Sequence, residues 1–140
     1  MNFKENMSPR IWNTPEEFRG WIDEIEALYG KLPENSNPNF LLSFVKDQQE
    51  LDHFFGQMLP FLNSDEVFWL AYPKKSSKKY KTDINRDHGW GELAKEDFEG
   101  VRMVSLNEDW SALRFRKVKF IKNMIRKFSL KDQIKPKKDK

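Results

Sequence analysis

The sequence predicts an α/β domain with a mixed sheet, mostly parallel, closed by a C-terminal antiparallel hairpin and with helices on both faces. Three observations lead there. Two short apolar runs, Phe40–Val45 and Val67–Tyr72, are bounded by turn residues, as strands buried on both sides of a parallel sheet are. Between them Leu51, Phe54, Phe55, Met58 and Leu59 recur at helical spacing, which makes strand, helix and second strand one βαβ unit. Further on, two alternating segments flank the turn Asn107-Glu108-Asp109.

Residues 1–9 read as a flexible lead, residues 10–118 as the single domain and residues 119–140 as a basic amphipathic helix with a disordered end. Arg10–Asn13 is a short strand. Thr14-Pro15-Glu16-Glu17 then has the form of a helix start, with Thr14 as cap, Pro15 at the first helical position and Glu17 closing a capping box. Phe18, Trp21, Ile22, Ile25, Leu28 and Tyr29 form its apolar face, and Gly30 with Pro33 ends it. Asp47 and Glu50 repeat the capping pattern before the second helix, which stops at Pro60. After Tyr72 comes the loop PKKSSKKYK, then the polar stretch TDINRD leading into a short helix that carries Trp90, Leu93, Ala94 and Phe98 and closes at Gly100. Val101–Leu106 and Trp110–Arg116 make the hairpin. From Val118 the apolar positions Val118, Ile121, Ile125 and Phe128 mark the last helix.

Composition narrows the chemistry. The 140 residues are 38% hydrophobic and 14% aromatic, too apolar for an intrinsically disordered chain. With 0 Cys there is no disulfide scaffold, thiolate zinc site or cysteine nucleophile. The 2 histidines, His53 and His88, lie far apart in sequence and outside any ligand spacing, so no metal site is expected. No serine has a G-x-S-x-G context, and no catalytic residue or cofactor is assigned. No apolar run reaches the roughly 20 residues of a transmembrane helix, and MNFKENMSPR lacks the apolar core of a secretory signal. A cytoplasmic protein is expected.

Charge is segregated rather than balanced. The formal net charge of +3 hides −7 over residues 1–72, +5 over residues 73–81, −3 over residues 82–116 and +8 over residues 117–140. Such patterning bears on partners. The basic loop sits where ligands of open α/β sheets bind, beyond the carboxyl ends of the parallel strands. There Lys74 and Lys75 offer charge, Ser76 and Ser77 offer hydroxyls, and Arg86 lies at a helix entrance, a set suited to a phosphate or another anion. The competing reading is a solvated loop, since no glycine there lets the backbone approach a phosphate. Lys117, Lys119, Lys122, Arg126 and Lys127 form a second basic set, for nucleic acid or another partner, or simply the solvated face of a docked helix. Gly89-Trp90-Gly91-Glu92-Leu93-Ala94 matches a dinucleotide fingerprint by letters, but a polar run precedes it where a strand is required.

Phe44-Val45 before an acidic helix start, Trp69, Tyr72 to Ser77, Thr82 to Asp87 and Asp109-Trp110-Ser111 together resemble a bacterial family of uncharacterised function with a Rossmann-like, methyltransferase-shaped fold. A weaker likeness extends to Asn13-Thr14-Pro15-Glu16. The resemblance implies that strands 40–45 and 67–72 are parallel neighbours and that the hairpin supplies the antiparallel strand. It transfers no catalytic residue. A methyltransferase would need a glycine-rich turn after its first strand, and Asn13-Thr14-Pro15 has none. The function expected is therefore a small non-catalytic domain binding an anionic small molecule or partner at the Lys/Ser loop. Two alternatives stand beside it: a reduced methyltransferase-like or nucleotide-using enzyme, and nonspecific nucleic-acid binding through the tail.

Overall fold

The computed structural model describes residues 8–29, 37–85 and 88–121. Within them the fold is α/β, built on one five-stranded mixed sheet. The strands are β1 (Pro9–Trp12), β2 (Phe40–Phe44), β3 (Val67–Pro73), β4 (Phe98–Ser105) and β5 (Trp110–Lys117), and the helices are α1 (Arg19–Tyr29), α2 (Gln48–Met58) and α3 (Gly91–Lys95). The spatial order is β1-β2-β3-β5-β4. β1, β2 and β3 run parallel, with Ile11 beside Leu42 and Leu42 beside Trp69. β5 is antiparallel to both β3 and β4.

The apolar runs explain this centre. All five residues of β2 are buried, as are six of the seven in β3. Strand alternation divides their side chains between two clusters. Leu41, Val45, Phe68, Leu70, Tyr72, Leu113 and Phe115 join Leu51, Phe55 and Met58 of α2 and Leu93 and Ala94 of α3. Phe40, Leu42, Phe44, Trp69, Ala71, Trp110 and Ala112 form the other, against which Phe18 and Trp21 pack. Trp69, Trp90 and Trp110 are fully buried.

α2 begins as its sequence predicts. The Asp47 carboxylate accepts from the Glu50 amide at 2.9 Å. Glu50 in turn accepts from the Lys46 amide at 2.8 Å, one residue earlier than a reciprocal capping box would have it.

Three local expectations are corrected. β1 starts at Pro9, inside the expected lead. Thr14 makes no capping bond: residues Glu16–Phe18 form a 3-10 turn that opens after Pro15, and α1 follows at Arg19. Phe98 and Gly100 belong to β4, because α3 ends at Lys95 and Asp97 turns the chain with φ of 65°. At the far end Val118–Phe120 is a 3-10 turn. The basic helix expected beyond it falls on residues after Ile121, outside the described residues, as do Arg86 and residues 1–7. No helix among the described residues is long and apolar enough to cross a membrane.

Candidate functional site

Parallel strands bring their carboxyl ends to one edge of a sheet, so three chain turns meet there. Just after β1 comes Asn13, whose φ of 57° is a left-handed conformation that Asn tolerates. Its side-chain amide donates to the Phe44 carbonyl at 2.7 Å and to Glu50 Oε1 at 3.0 Å, tying the first turn to the second. β3 ends in the basic loop, and the Lys74 amide still donates to the Asp109 carbonyl at 2.7 Å, so the loop leaves the sheet alongside β5.

Glu17 is the centre of this edge. Its carboxylate accepts from the Tyr80 hydroxyl at 2.9 and 2.7 Å and from Trp110 Nε1 at 3.0 Å, with Lys79 Nζ at 3.4 Å. The Tyr80 ring meets the Trp110 ring edge-on at 5.0 Å. One carboxylate thereby joins the start of the first helical segment, the basic loop and β5. Beside it Asn13, Thr14, Pro15, Lys46 and Lys79 help line a cleft of about 380 Å³.

The two partners titrate in opposite directions. Burial pushes the Glu17 carboxyl up, but the bonds from Tyr80 and Trp110, its own backbone amide and Lys79 outweigh it and lower the pKa from 4.5 to about 2. Burial and the bond to Glu17 raise the Tyr80 hydroxyl from 10.0 to about 12. A depressed carboxyl stabilises the fold above its unfolded pKa, and that contribution is lost as pH falls through the folded value. A raised phenol stabilises the fold below its unfolded pKa and loses that contribution as pH rises through the folded one. Stability from this node is therefore expected to be level across neutral pH, to fall between pH 4.5 and about 2, and to fall again between pH 10.0 and about 12. Chemical denaturation against pH checks this, with Tyr80→Phe removing the alkaline limb.

The Lys/Ser loop is held by contacts of its own. The Ser77 hydroxyl donates to Asp109 Oδ1 at 2.7 Å and accepts from the Lys79 and Tyr80 amides at 3.1 Å. Lys74 Nζ reaches Ser105 Oγ at 2.6 Å. Of the four loop residues named from sequence, then, Lys74 and Ser77 bond within the fold, while Lys75 and Ser76 are exposed. Lys78 and Lys81 are exposed with them.

The second basic set does not join the first. Lys117 ends β5 and Lys119 follows it, whereas the loop lies beside Trp110 at the other end of the same strand. Eight residues of strand separate the two ends by about 23 Å. Lys122, Arg126 and Lys127 lie outside the described residues.

No family model, curated protein or solved structure matches this chain. The site therefore rests on its own chemistry. Among the described residues no group of three or more His, Cys, Asp or Glu could hold a metal ion. His53 is an exposed residue of α2, its ring near Gln57 Nε2 at 3.1 Å and edge-on to Phe54. Gly89 is not the first glycine of a strand-to-helix turn. Among the described residues an isolated bridge between Asn85 and His88 comes directly before it, and its carbonyl accepts from Gln48 Nε2 at 3.0 Å.

Glu17, Tyr80, Trp110 and Lys46 are not site residues in the sequence reading, where Glu17 closes a capping box and Trp110 belongs to the Asp109-Trp110-Ser111 stretch. One signal was there. Tyr80 is an aromatic residue set among lysines in KKSSKKYK, and a ring in an otherwise charged loop needs a surface to pack against.

Proposed function

We propose that this chain is a non-catalytic domain of Rossmann-like shape, with helices on both faces of its sheet, that binds an anionic partner through the loop after β3. The observation that carries the reading is the way the loop is held. Asp109 fixes Ser77 and Glu17 fixes Tyr80, so the loop is ordered by residues other than its exposed lysines. Lys75, Lys78 and Lys81 are left at the surface of this held loop, beside Lys46 and Lys79 of the cleft, which pair with Glu50 and Glu17. A preordered loop binds without the full entropy cost of ordering it. Ser76 is the exposed hydroxyl beside them. Of the acids at the same edge, Glu17, Asp47, Glu50 and Asp109 accept bonds from within the fold, while Glu16 is exposed at the cleft.

Titration with polyphosphate at several salt concentrations tests this. The parent is expected to bind with an affinity that falls steeply with salt. The triple variant Lys75→Ala, Lys78→Ala, Lys81→Ala should bind at least about tenfold more weakly and lower the salt slope by roughly 2–3. Lys117→Ala with Lys119→Ala, at the opposite edge, should bind as the parent does. Equal binding by parent and triple variant sinks the proposal, and loss of binding only in the second variant transfers the function to the tail.

A further inference from the structure

We infer a second anion site, separate from the loop, on the sheet face shared by β3, β5 and β4, suited to a small oxyanion such as phosphate or a free carboxylate. Strand alternation sets Arg114 and Arg116 on the same face as Trp69, and the register places Arg114 directly between Trp69 of β3 and Arg102 of β4. Directly opposed residues on neighbouring strands have Cβ atoms about 5 Å apart, and like charges so placed repel. The ladder is also irregular here: a register shift between Gly100 and Arg102 brings Arg102 opposite Arg114.

These arginines are not equivalent. Arg116 is satisfied: its guanidinium makes a forked pair with both oxygens of Asp65 and donates to the Phe120 carbonyl at 2.9 Å. Glu99 lies opposite Arg116 in the ladder, buried at 1% exposure. Arg114 differs. Its Nε is buried and has no acceptor, and the same holds for Nε1 of Trp69, a side chain of 0% exposure. Among the described residues these two are the buried side-chain groups left without a hydrogen-bond partner, and they are cross-strand neighbours. Burial, then Arg116 and Arg102, hold the Arg114 pKa below its ordinary value, with Asp65 acting against them.

An orphaned buried donor costs about 1–3 kcal/mol, so two side by side call for an acceptor. Water would accept both bonds and leave the repulsion between Arg102 and Arg114 in place. An oxyanion would accept both bonds and offset that repulsion as well, since guanidinium and indole N–H groups are both donors that anion oxygens accept. Arg102, the neighbour of Arg114 on β4, is exposed.

The test is titration of inorganic phosphate, and separately of acetate, into the 15N-labelled full chain. The readouts are the Trp69 indole N–H, assigned through Trp69→Phe, and the Arg114 Nε–H. Expected is a saturable shift of both donors, with the indoles of Trp12, Trp21 and Trp90 unmoved. Arg102→Gln, at an exposed position, should weaken binding about tenfold, and Arg114→Gln should abolish it. If neither donor shifts saturably with either anion, or Arg102→Gln and Arg114→Gln both bind as the parent does, the site does not exist. The loop variant Lys75→Ala, Lys78→Ala, Lys81→Ala should titrate here as the parent does. Loss of the Trp69 shift in that variant would merge the two sites and overturn their separation.

Discussion

Trp110→Ala is expected to destabilise the protein by about 4 kcal/mol, lowering the melting temperature by roughly 12–16 °C. Two losses combine. The indole is fully buried and meets Phe44 edge-on at 5.3 Å and Phe18 at 6.4 Å, so its removal opens a cavity beside the three parallel strands. It also deletes the Nε1 bond to Glu17, which leaves that carboxylate on Tyr80, Lys79 and its own backbone amide. Trp110→Phe separates the two. It retains most of the ring and loses the bond, a charge-assisted one, for about 1.5–3 kcal/mol. Thermal unfolding of parent, Trp110→Phe and Trp110→Ala should order them in that sequence. A phenylalanine variant as stable as the parent would show that the bond to Glu17 contributes nothing to the fold.

Gly89→Ala is expected to cost about 3 kcal/mol. The φ of 109° at Gly89 is one that residues with a Cβ rarely adopt, and a Cβ there would collide with Cγ2 of Ile84, itself 1% exposed. The loop that carries Gly89 is pinned to α2 through Gln48, whose side-chain amide donates to the Gly89 carbonyl at 3.0 Å and whose backbone N–H donates to Asp83 Oδ1 at 2.8 Å. A methyl group would have to move that loop. Denaturant unfolding of Gly89→Ala beside Gly91→Ala makes the comparison, since nothing lies within 4 Å of a Cβ at Gly91. Equal midpoints for the two variants would refute the argument.

The centre of the sheet was legible because β2 and β3 are buried on both faces, and continuous apolar runs announce that directly. The start of α2 was legible because Asp47 caps it locally. The boundary between α3 and β4 was not. Asp97 occupies the left-handed position where glycine usually stands, so the reading ran on to Gly100, and buried Phe98 looked like one more helical position. The candidate site was half legible. Its basic loop shows in composition, but the carboxylate that organises it does not. Glu17 has a local explanation as a capping residue, while its partners Tyr80 and Trp110 lie 63 and 93 positions away. Nothing in a single sequence ranks a distant partner above a near one.

The two outermost strands have a consequence for how the molecule behaves in concentrated solution. An open sheet ends in unpaired backbone groups that can template the growth of a neighbouring chain. β1 has four residues and begins with proline, which carries no N–H to offer. β4 has eight, but its ladder is broken between Gly100 and Arg102, and Arg102 sets an exposed cation on it. Short length, proline, irregularity and charge are the devices that keep sheet ends from recruiting strands. A domain so rich in aromatic residues thus has both of its growing ends blunted against aggregation.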